Sequence, residues 1–445
     1  MRRVWLPLVL AVVVIVLPLA LRVTAGAPVQ MGVDGAYHVR MAEAWRSGLV
    51  MSDPLVAGGR PYLLQPYHIL IALSPSILSV VVPAVSALAL VWILWCLLGA
   101  KGCPMRRRWL VVCLFVLSPV FMLLGASSSP LSLAVLVSIA VVWLAVRGRV
   151  WRSGIVGALL PLIDVWSAVV VVLALFALRP RRWGRVALVV GAGALVVAVV
   201  QLVLFGVPVF SGLQVYVADT GASSGASVFG VALALIGVVA MWRSAARNVA
   251  GWSLPVLVGA LFVQSLVPFA VLALSVLGGY GAAWLVEREW SLRVVRQVSL
   301  IAVACGVLFS VLSFAVVLAH ADPSAGLARG VERASLFLSD VVLTHPSVAA
   351  LVEGQGRVVV VDALAAPRQA SRLADVGRMF GSRSLEETSG LLSKWGVSSI
   401  LVTDEMRQGL VWQGPEDGLL FVLGNNETFK SVYRGDGVEV WTVLR

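Results

Sequence analysis

Within seven positions, Asp34-Gly35-Ala36-Tyr37-His38-Val39-Arg40 sets a carboxylate, an imidazole and a guanidinium side by side. A carboxylate can ligate a hard divalent cation or accept a proton, and a guanidinium can neutralise phosphate. The setting sharpens the signal. Residues 1–319 carry only seven acids: Asp34, Glu43, Asp53, Asp164, Asp219, Glu287 and Glu289. A carboxylate at the surface of so lipophilic a segment is costly unless it has a partner. Asp34 is therefore expected to anchor a metal-phosphate site; the alternative is that it only caps the helix that follows. His38 lies on the same helix, where bonding to backbone or headgroups is the plainer reading. His68 divides between interface anchor and site contact, and Asp164 reads first as a helix cap.

Positioning these groups falls to a membrane domain. The chain has 445 residues, 60% hydrophobic and 13% charged, and apolar runs of membrane-spanning length recur from residue 4 to about 319. Residues 1–319 hold 22 Lys and Arg against those seven acids, whereas 320–445 hold 12 against 15. The net charge of +12 therefore belongs to the membrane part and indicates cytoplasmic anchoring in a lipid bilayer, not a nucleic-acid partner. The division is a membrane domain at 1–319 and a soluble domain at 320–445. Cys96, Cys103, Cys113 and Cys305 lie in spans or a basic loop, so neither a disulfide framework nor a zinc site is indicated. The N-terminus resembles a signal peptide but is expected to be a retained first span.

Basic residues cluster at 2–3, 101–108, 147–152, 179–185, 243–247 and 288–296, which the positive-inside rule makes cytoplasmic. Arg22, Arg40, Arg46 and Arg60 flank or share the loop of Asp34, which is then external. Intervals 154–178 and 252–286 each have to leave and return, as hairpins turning at 161–164 and 264–268. This gives eleven crossings: roughly 4–24, 74–99, 109–125, 130–146, 154–163, 165–178, 186–207, 227–241, 252–266, 268–286 and 298–319. An odd number puts the N-terminus in the cytoplasm and the C-terminal domain outside the cell membrane, on the side of Asp34.

The first external loop, 25–67, is long for a bundle connection, and Tyr37, Met41, Ala44 and Trp45 predict a surface helix at 35–47. The second, 208–226, is Gly- and Ser-rich around Asp219 and is expected to be flexible. In 320–445, the pattern predicts helix 332–353, strand 357–362, helices near 367–379 and 384–394, strand 398–403 and a hairpin turning at 435–437. That is a small α/β domain, and no glycine-rich phosphate loop follows its first strand.

Asp34 followed by Tyr37-His38-Val39-Arg40 resembles the first external loop of oligosaccharyltransferase catalytic subunits, membrane glycosyltransferases of the GT-C class. Gly59-Arg60-Pro61 to Gln65-Pro66-Tyr67-His68 is similar to the end of that loop. Asp164-Val165-Trp166-Ser167, Val217-Ala218-Asp219-Thr220, Val267-Pro268-Phe269-Ala270-Val271 through Gly278-Gly279-Tyr280-Gly281, and Leu392 to Val397 resemble later family segments in order. The resemblance implies a GT-C-like polytopic helical fold with a C-terminal extracytoplasmic α/β domain. It also implies an enzyme that transfers a glycan from a polyprenyl-(pyro)phosphate carrier to Asn in Asn-x-Ser/Thr of an acceptor polypeptide.

By the same resemblance Asp34 and Asp219 are catalytic, with Asp34, Asp219 and His68 as ligands of a divalent metal, Mn²⁺ or Mg²⁺. His68, Arg40 and His38 would contact substrate. The pattern departs at three places. Gly125 to Pro130 has no acid where a second acidic motif belongs, Pro268 stands for a phosphate-binding Arg, and a Trp-Trp-Asp motif is missing, with Asp362-Ala363-Leu364 the nearest candidate. Two alternatives stay open. One is a GT-C transferase with a sugar, lipid or hydroxyl acceptor, in which Asp34 acts as general base without a metal. The other is a non-catalytic paralogue that binds lipid-linked glycan or scaffolds a partner.

Overall fold

A computed structural model describes residues 4–32, 34–48, 50–180, 182–206, 213, 215–220, 224–242, 247–321 and 323–444. Its helices run in chain order as α1 (Trp5–Thr24), α2 (Asp34–Ser47), α3 (Pro66–Ile71), α4 (Pro75–Ala100), α5 (Met105–Val116), α6 (Pro119–Ala126), α7 (Leu131–Val146), α8 (Val150–Ile163), α9 (Val165–Leu178) and α10 (Trp183–Phe205). Beyond the second loop come α11 (Val228–Trp242), α12 (Arg247–Gly259), α13 (Val267–Glu287) and α14 (Arg293–Ala319). A helix occupies each of the eleven expected crossings. Five of the described spans, those containing α1, α4, α10, α13 and α14, are long and apolar enough to cross a bilayer singly. α5 and α6 form one more as a pair bent by 64°. The bend has a local cause: Pro119 opens α6, and Ser118 Oγ caps it by accepting from Phe121 N at 3.2 Å. The chain breaks between helices at both expected turns. Asp164 sits between α8 and α9 and caps α9 by accepting from Ser167 N at 2.6 Å, while a single 3-10 turn at Gln264–Leu266 precedes α13.

One apolar core joins α1, α4, α5, α6 and α7 to α11–α14, and a second unites α7–α10. Glycines on both α11 and α13 let these two helices approach closely. A Cβ on Gly237 would lie 1.9 Å from Leu277 O, and one on Gly281 would lie 2.1 Å from Leu233 O. Small residues let these two backbones touch, the usual device where lipid provides no hydrophobic drive between helices. Gly278-Gly279-Tyr280-Gly281 is thus first a packing motif.

The chain then leaves the membrane domain under restraint. Arg22, fully buried near the end of α1, donates to Leu318 O, Ala319 O, Ala321 O and Pro323 O around the C-terminus of α14. A guanidinium there satisfies carbonyls that have no intrahelical partner and complements the helix dipole.

The C-terminal region contains α15 (Ala325–Ala334), α16 (Pro346–Gly354), α17 (Gln369–Gly381), α18 (Leu385–Lys394) and α19 (Leu419–Val422). In the loop between α2 and α3, β1 (Ser52–Asp53) and β2 (Arg60–Pro61) form a short antiparallel pair. The main sheet is built from β3 (Val341–Leu343), β4 (Val358–Val359), β5 (Val397–Thr403), β6 (Phe429–Gly435) and β7 (Val438–Val443). Its order is β4-β3-β5-β7-β6, parallel across the first three and antiparallel across the rest. Successive residues of β5 feed opposite cores: Ile400 and Val402 pack on one face, Leu401 on the other.

The expected helix 332–353 is corrected. Val341-Val342-Leu343 forms a buried parallel strand instead, and Pro346 begins a new helix. β-branched residues favour the pleated sheet, and a proline inside a long helix would remove a hydrogen bond. The expected strand 357–362 shrinks to Val358–Val359.

Candidate functional site

The first loop, 25–67, is not free but docks on the C-terminal region. Val56 is wholly buried in the C-terminal core and bridges in parallel to Val359, with Ala57 N to Val359 O and Val359 N to Leu55 O both 2.8 Å. The loop thereby extends the main sheet beyond β4. Below it, α2 packs against α16, with Ala36 Cβ close to Gly354. Asp34 begins α2, and its carboxyl sits where loop, membrane domain and sheet meet.

A buried ionic network fixes that junction. Arg40 grips Asp53 with two bonds of 2.6 and 2.9 Å and reaches Glu353 at 2.8 Å. Arg60 donates to Asp53 and to Asp362, each at 2.7 Å, and its guanidinium lies 4.8 Å from the centre of the Tyr37 ring. Asp53, Arg60, Glu353 and Asp362 are all nearly inaccessible. Burial works to raise the pKa of Asp53, but the two arginines prevail and hold it near 2. Glu353 goes the other way. Burial, then the neighbouring Asp362, push it up to about 8 against the pull of both arginines, so it keeps its proton at neutral pH. The close pairing of both guanidiniums with these carboxyls removes much of the cost of burying five ionisable groups.

Asp34 is open to solvent at the start of α2, within the field of the buried Asp362 and Arg60. Its pKa is raised, first by desolvation and next by Asp362, with Arg60 opposing. It is thus a solvent-reachable carboxyl with increased proton affinity beside a rigidly braced cation.

The histidines have other employment. His38 Nδ1 and His68 Nε2 are 2.7 Å apart, and Tyr62 Oη lies 2.7 Å from His68 Nδ1. Burial, followed by Arg60 for His38 and by His38 and Arg40 for His68, depresses them to about 3 and about 2. Both are neutral, and both ring nitrogens of His68 are engaged, which leaves it no lone pair for a cation in this arrangement. Arg40 likewise is committed to Asp53 and Glu353.

Asp219 is held elsewhere. Its oxygens accept from Val228 N at 2.6 Å and from Ser310 Oγ at 2.5 Å, so it caps α11 and ties the second loop to α14. Residues 221–223 of that loop lie outside the described residues. Asp164 stays in its cap. The loop expected to carry a second acid does run beside the site: Met31 bridges to Ser127, and Ser128 N donates to Met31 O at 3.1 Å. The place is close to Asp34, but the residues there are serines. Among the described residues no group of three His, Cys, Asp or Glu side chains could hold a metal ion, so the donor set does not fit the expected cation.

Asp53 and Glu353 were absent from the sequence-derived site. Asp53 carried one usable signal, an acid among seven in an apolar domain. Glu353 carried none, since its partner Arg40 lies 313 residues away.

Neither a family model nor a curated protein matches the sequence significantly. Solved structures do match in fold. The oligosaccharyltransferase of Archaeoglobus fulgidus in its apo form aligns with a TM-score of 0.61 at 10% identity, over 96% of this chain and 73% of its own. ArnT from Cupriavidus metallidurans aligns at 0.54 and 14% identity, over 97% of each chain. The arabinofuranosyltransferase AftD from Mycobacteria aligns at 0.53 and 18% identity, over 98% of this chain but 41% of AftD.

Proposed function

We propose that this chain, which has the fold of the GT-C membrane glycosyltransferases, transfers a sugar from a polyprenyl-phosphate carrier to an acceptor hydroxyl, with Asp34 as general base. The observation that carries the reading is the state of Asp34. It is a reachable carboxyl of raised pKa beside a braced Arg60, and among the described residues no group of three His, Cys, Asp or Glu side chains could make it a metal site. In the reaction, Asp34 takes the proton of the attacking hydroxyl as that oxygen bonds to the anomeric carbon. The bond from that carbon to phosphate oxygen breaks, and the carrier leaves as its phosphate. Arg60, clamped by Asp53 and Asp362, keeps a fixed positive field near Asp34 and limits how far its pKa rises. The acceptor approaches from the extracytoplasmic side, under the sheet to which the first loop is joined.

Transfer to Asn in a polypeptide is the second reading, favoured by the likeness to the Archaeoglobus fulgidus enzyme. That protein has been solved with an acceptor peptide containing an NVT sequon, with a dolichol-phosphate, and with Zn and sulfate. The test reconstitutes the full chain in nanodiscs with polyprenyl-phosphate and pyrophosphate donors. It offers simple glycosides or an Asn-x-Thr peptide, with Mn²⁺ or with chelator. Transfer to a glycoside that survives chelator and vanishes in Asp34→Asn is the expected result. Metal-dependent glycosylation of the peptide would install the second reading, and full activity of Asp34→Asn would sink both.

A further inference from the structure

At the opposite end of the bundle from Asp164, a cavity of about 650 Å³ opens between the turn that starts α8 and the turn that starts α10. Gly148, Arg149, Val150, Trp151, Arg152 and Arg182 line it. The sequence supplies no acid between Asp53 and Asp164 or between Asp164 and Asp219, and Asp164 lies about 20 Å away at the far end of α8. Three guanidiniums therefore share one hollow with no carboxylate from these elements to offset them.

The chemistry of the helix ends adds to the imbalance. Arg149 and Arg182 stand at the N-cap positions of α8 and α10, and neither gives a side-chain cap. An N-terminus carries the positive end of the helix dipole and unpaired N–H groups, so a cation there is unfavourable unless an anion joins it. Below the cavity, Trp151, Ile155 and Leu159 form an exposed apolar stripe one helical turn apart along α8, and Leu188 is exposed on the adjoining α10. A polar mouth continuous with a lipid-facing stripe suits an amphiphile.

We propose that this cavity binds the phosphodiester headgroup of an anionic lipid, with its acyl chains along Trp151, Ile155 and Leu159. The site sits on the basic face that the positive-inside pattern assigns to the cytoplasm, whose leaflet attracts Lys and Arg in this way. It is separate from the Asp34 site and does not depend on the proposed transferase chemistry.

The test is native mass spectrometry of the full chain released from mixed phosphatidylglycerol and phosphatidylcholine. The unaltered chain should retain phosphatidylglycerol selectively. Arg149→Gln/Arg152→Gln/Arg182→Gln should weaken retention by about fivefold per arginine, about a hundredfold together. Arg288→Gln/Arg293→Gln/Arg296→Gln, on the same face but outside the cavity, should retain the lipid. Should the first triple variant prove misfolded by gel filtration, Trp151→Glu provides a second probe and should also release the lipid. Glycerol phosphate forms a further arm. If it competes as well as the lipid does, the site takes free phosphate and the lipid assignment fails. Equal retention of both lipids, or equal loss in the two triple variants, also overturns the proposal.

Discussion

A carboxyl that must act as base needs to be ionised before the reaction, and this sets the first expectation. Because desolvation and Asp362 raise the pKa of Asp34, the acid limb of kcat/KM should fall above the ordinary carboxylate range, with activity rising as pH increases through it. Asp34→Asn should lower kcat by about 10²–10⁴-fold. The variant should keep its melting temperature, since the side chain is open to solvent. An unshifted acid limb, or a loss of kcat matched by unfolding, would contradict the assignment. The neighbouring ions act on stability with opposite signs. Asp53 is depressed to about 2, so its contribution is present above about 4 and disappears as pH falls through 2. Asp53→Ala strands Arg40 and Arg60 and should cost about 3–5 kcal/mol, read as a lower melting temperature. Glu353 is raised from 4.5 to about 8, so its contribution is complete below 4.5 and is lost as pH climbs through 8. Glu353→Gln imitates the protonated form. It should match the parent below pH 4.5, exceed it in stability at pH 7 and flatten the decline between pH 5 and 8. An unchanged slope, with the Gln variant less stable than the parent at pH 7, would mean that Glu353 is charged in the fold.

At the level of elements, what could be read from the chain was whatever periodicity and punctuation encode. The apolar runs located the spans, Pro161 and Asp164 marked one hairpin, and the 435–437 turn lies between β6 and β7. The failures share a cause. Residues 332–353 have apolar positions compatible with either period, and only the partners of β3, supplied by β4 and β5, decide for strand. Pro346 was the local clue against one continuous helix. The junction of the first loop with the sheet was hidden for the same reason, because Val56 meets Val359 across some three hundred residues. Packing between α11 and α13 offers a direct check of such a non-local contact. Gly281→Ala would drive a methyl against Leu233 O, and overpacking of this kind costs about 1–3 kcal/mol. Gly326→Ala, where nothing lies within 4 Å, serves as the comparison and should be neutral in a thermal unfolding assay in detergent. Equal melting temperatures for the two variants would show that α11 and α13 do not approach so closely.

For the whole molecule, the decisive matter is which compartment the junction of loop and sheet faces. A carrier lipid presents its phosphate at one membrane surface, so Asp34 and the C-terminal sheet have to lie on that surface together. Their attachment is covalently remote but physically tight: the strand-like bridge at Val56, the α2–α16 packing, the Arg40–Glu353 hydrogen bond, the Arg60–Asp362 ion pair, and Arg22 clasping the end of α14. Such a unit cannot be divided between two sides of a bilayer. One orientation marker therefore fixes both. Six basic clusters predict that the opposite face is cytoplasmic. Alkaline phosphatase, which needs an oxidising compartment, should then be active when fused after residue 445 and inactive when inserted at 101–104. Fluorescent protein fusions should give the inverse pattern. The short helices α7, α8, α9 and α11 make the experiment informative, because none of them meets the length needed to cross alone. If α8 and α9 cross as one tilted hairpin, a phosphatase inserted beside Asp164 will be active too. If it is inactive there while the C-terminal fusion stays active, that pair lies within one leaflet. Removing both of its crossings keeps the total odd and leaves the C-terminal domain on the side of Asp34. An inactive C-terminal fusion, by contrast, would put the Asp34 site in the cytoplasm and require a carrier lipid presented from that leaflet.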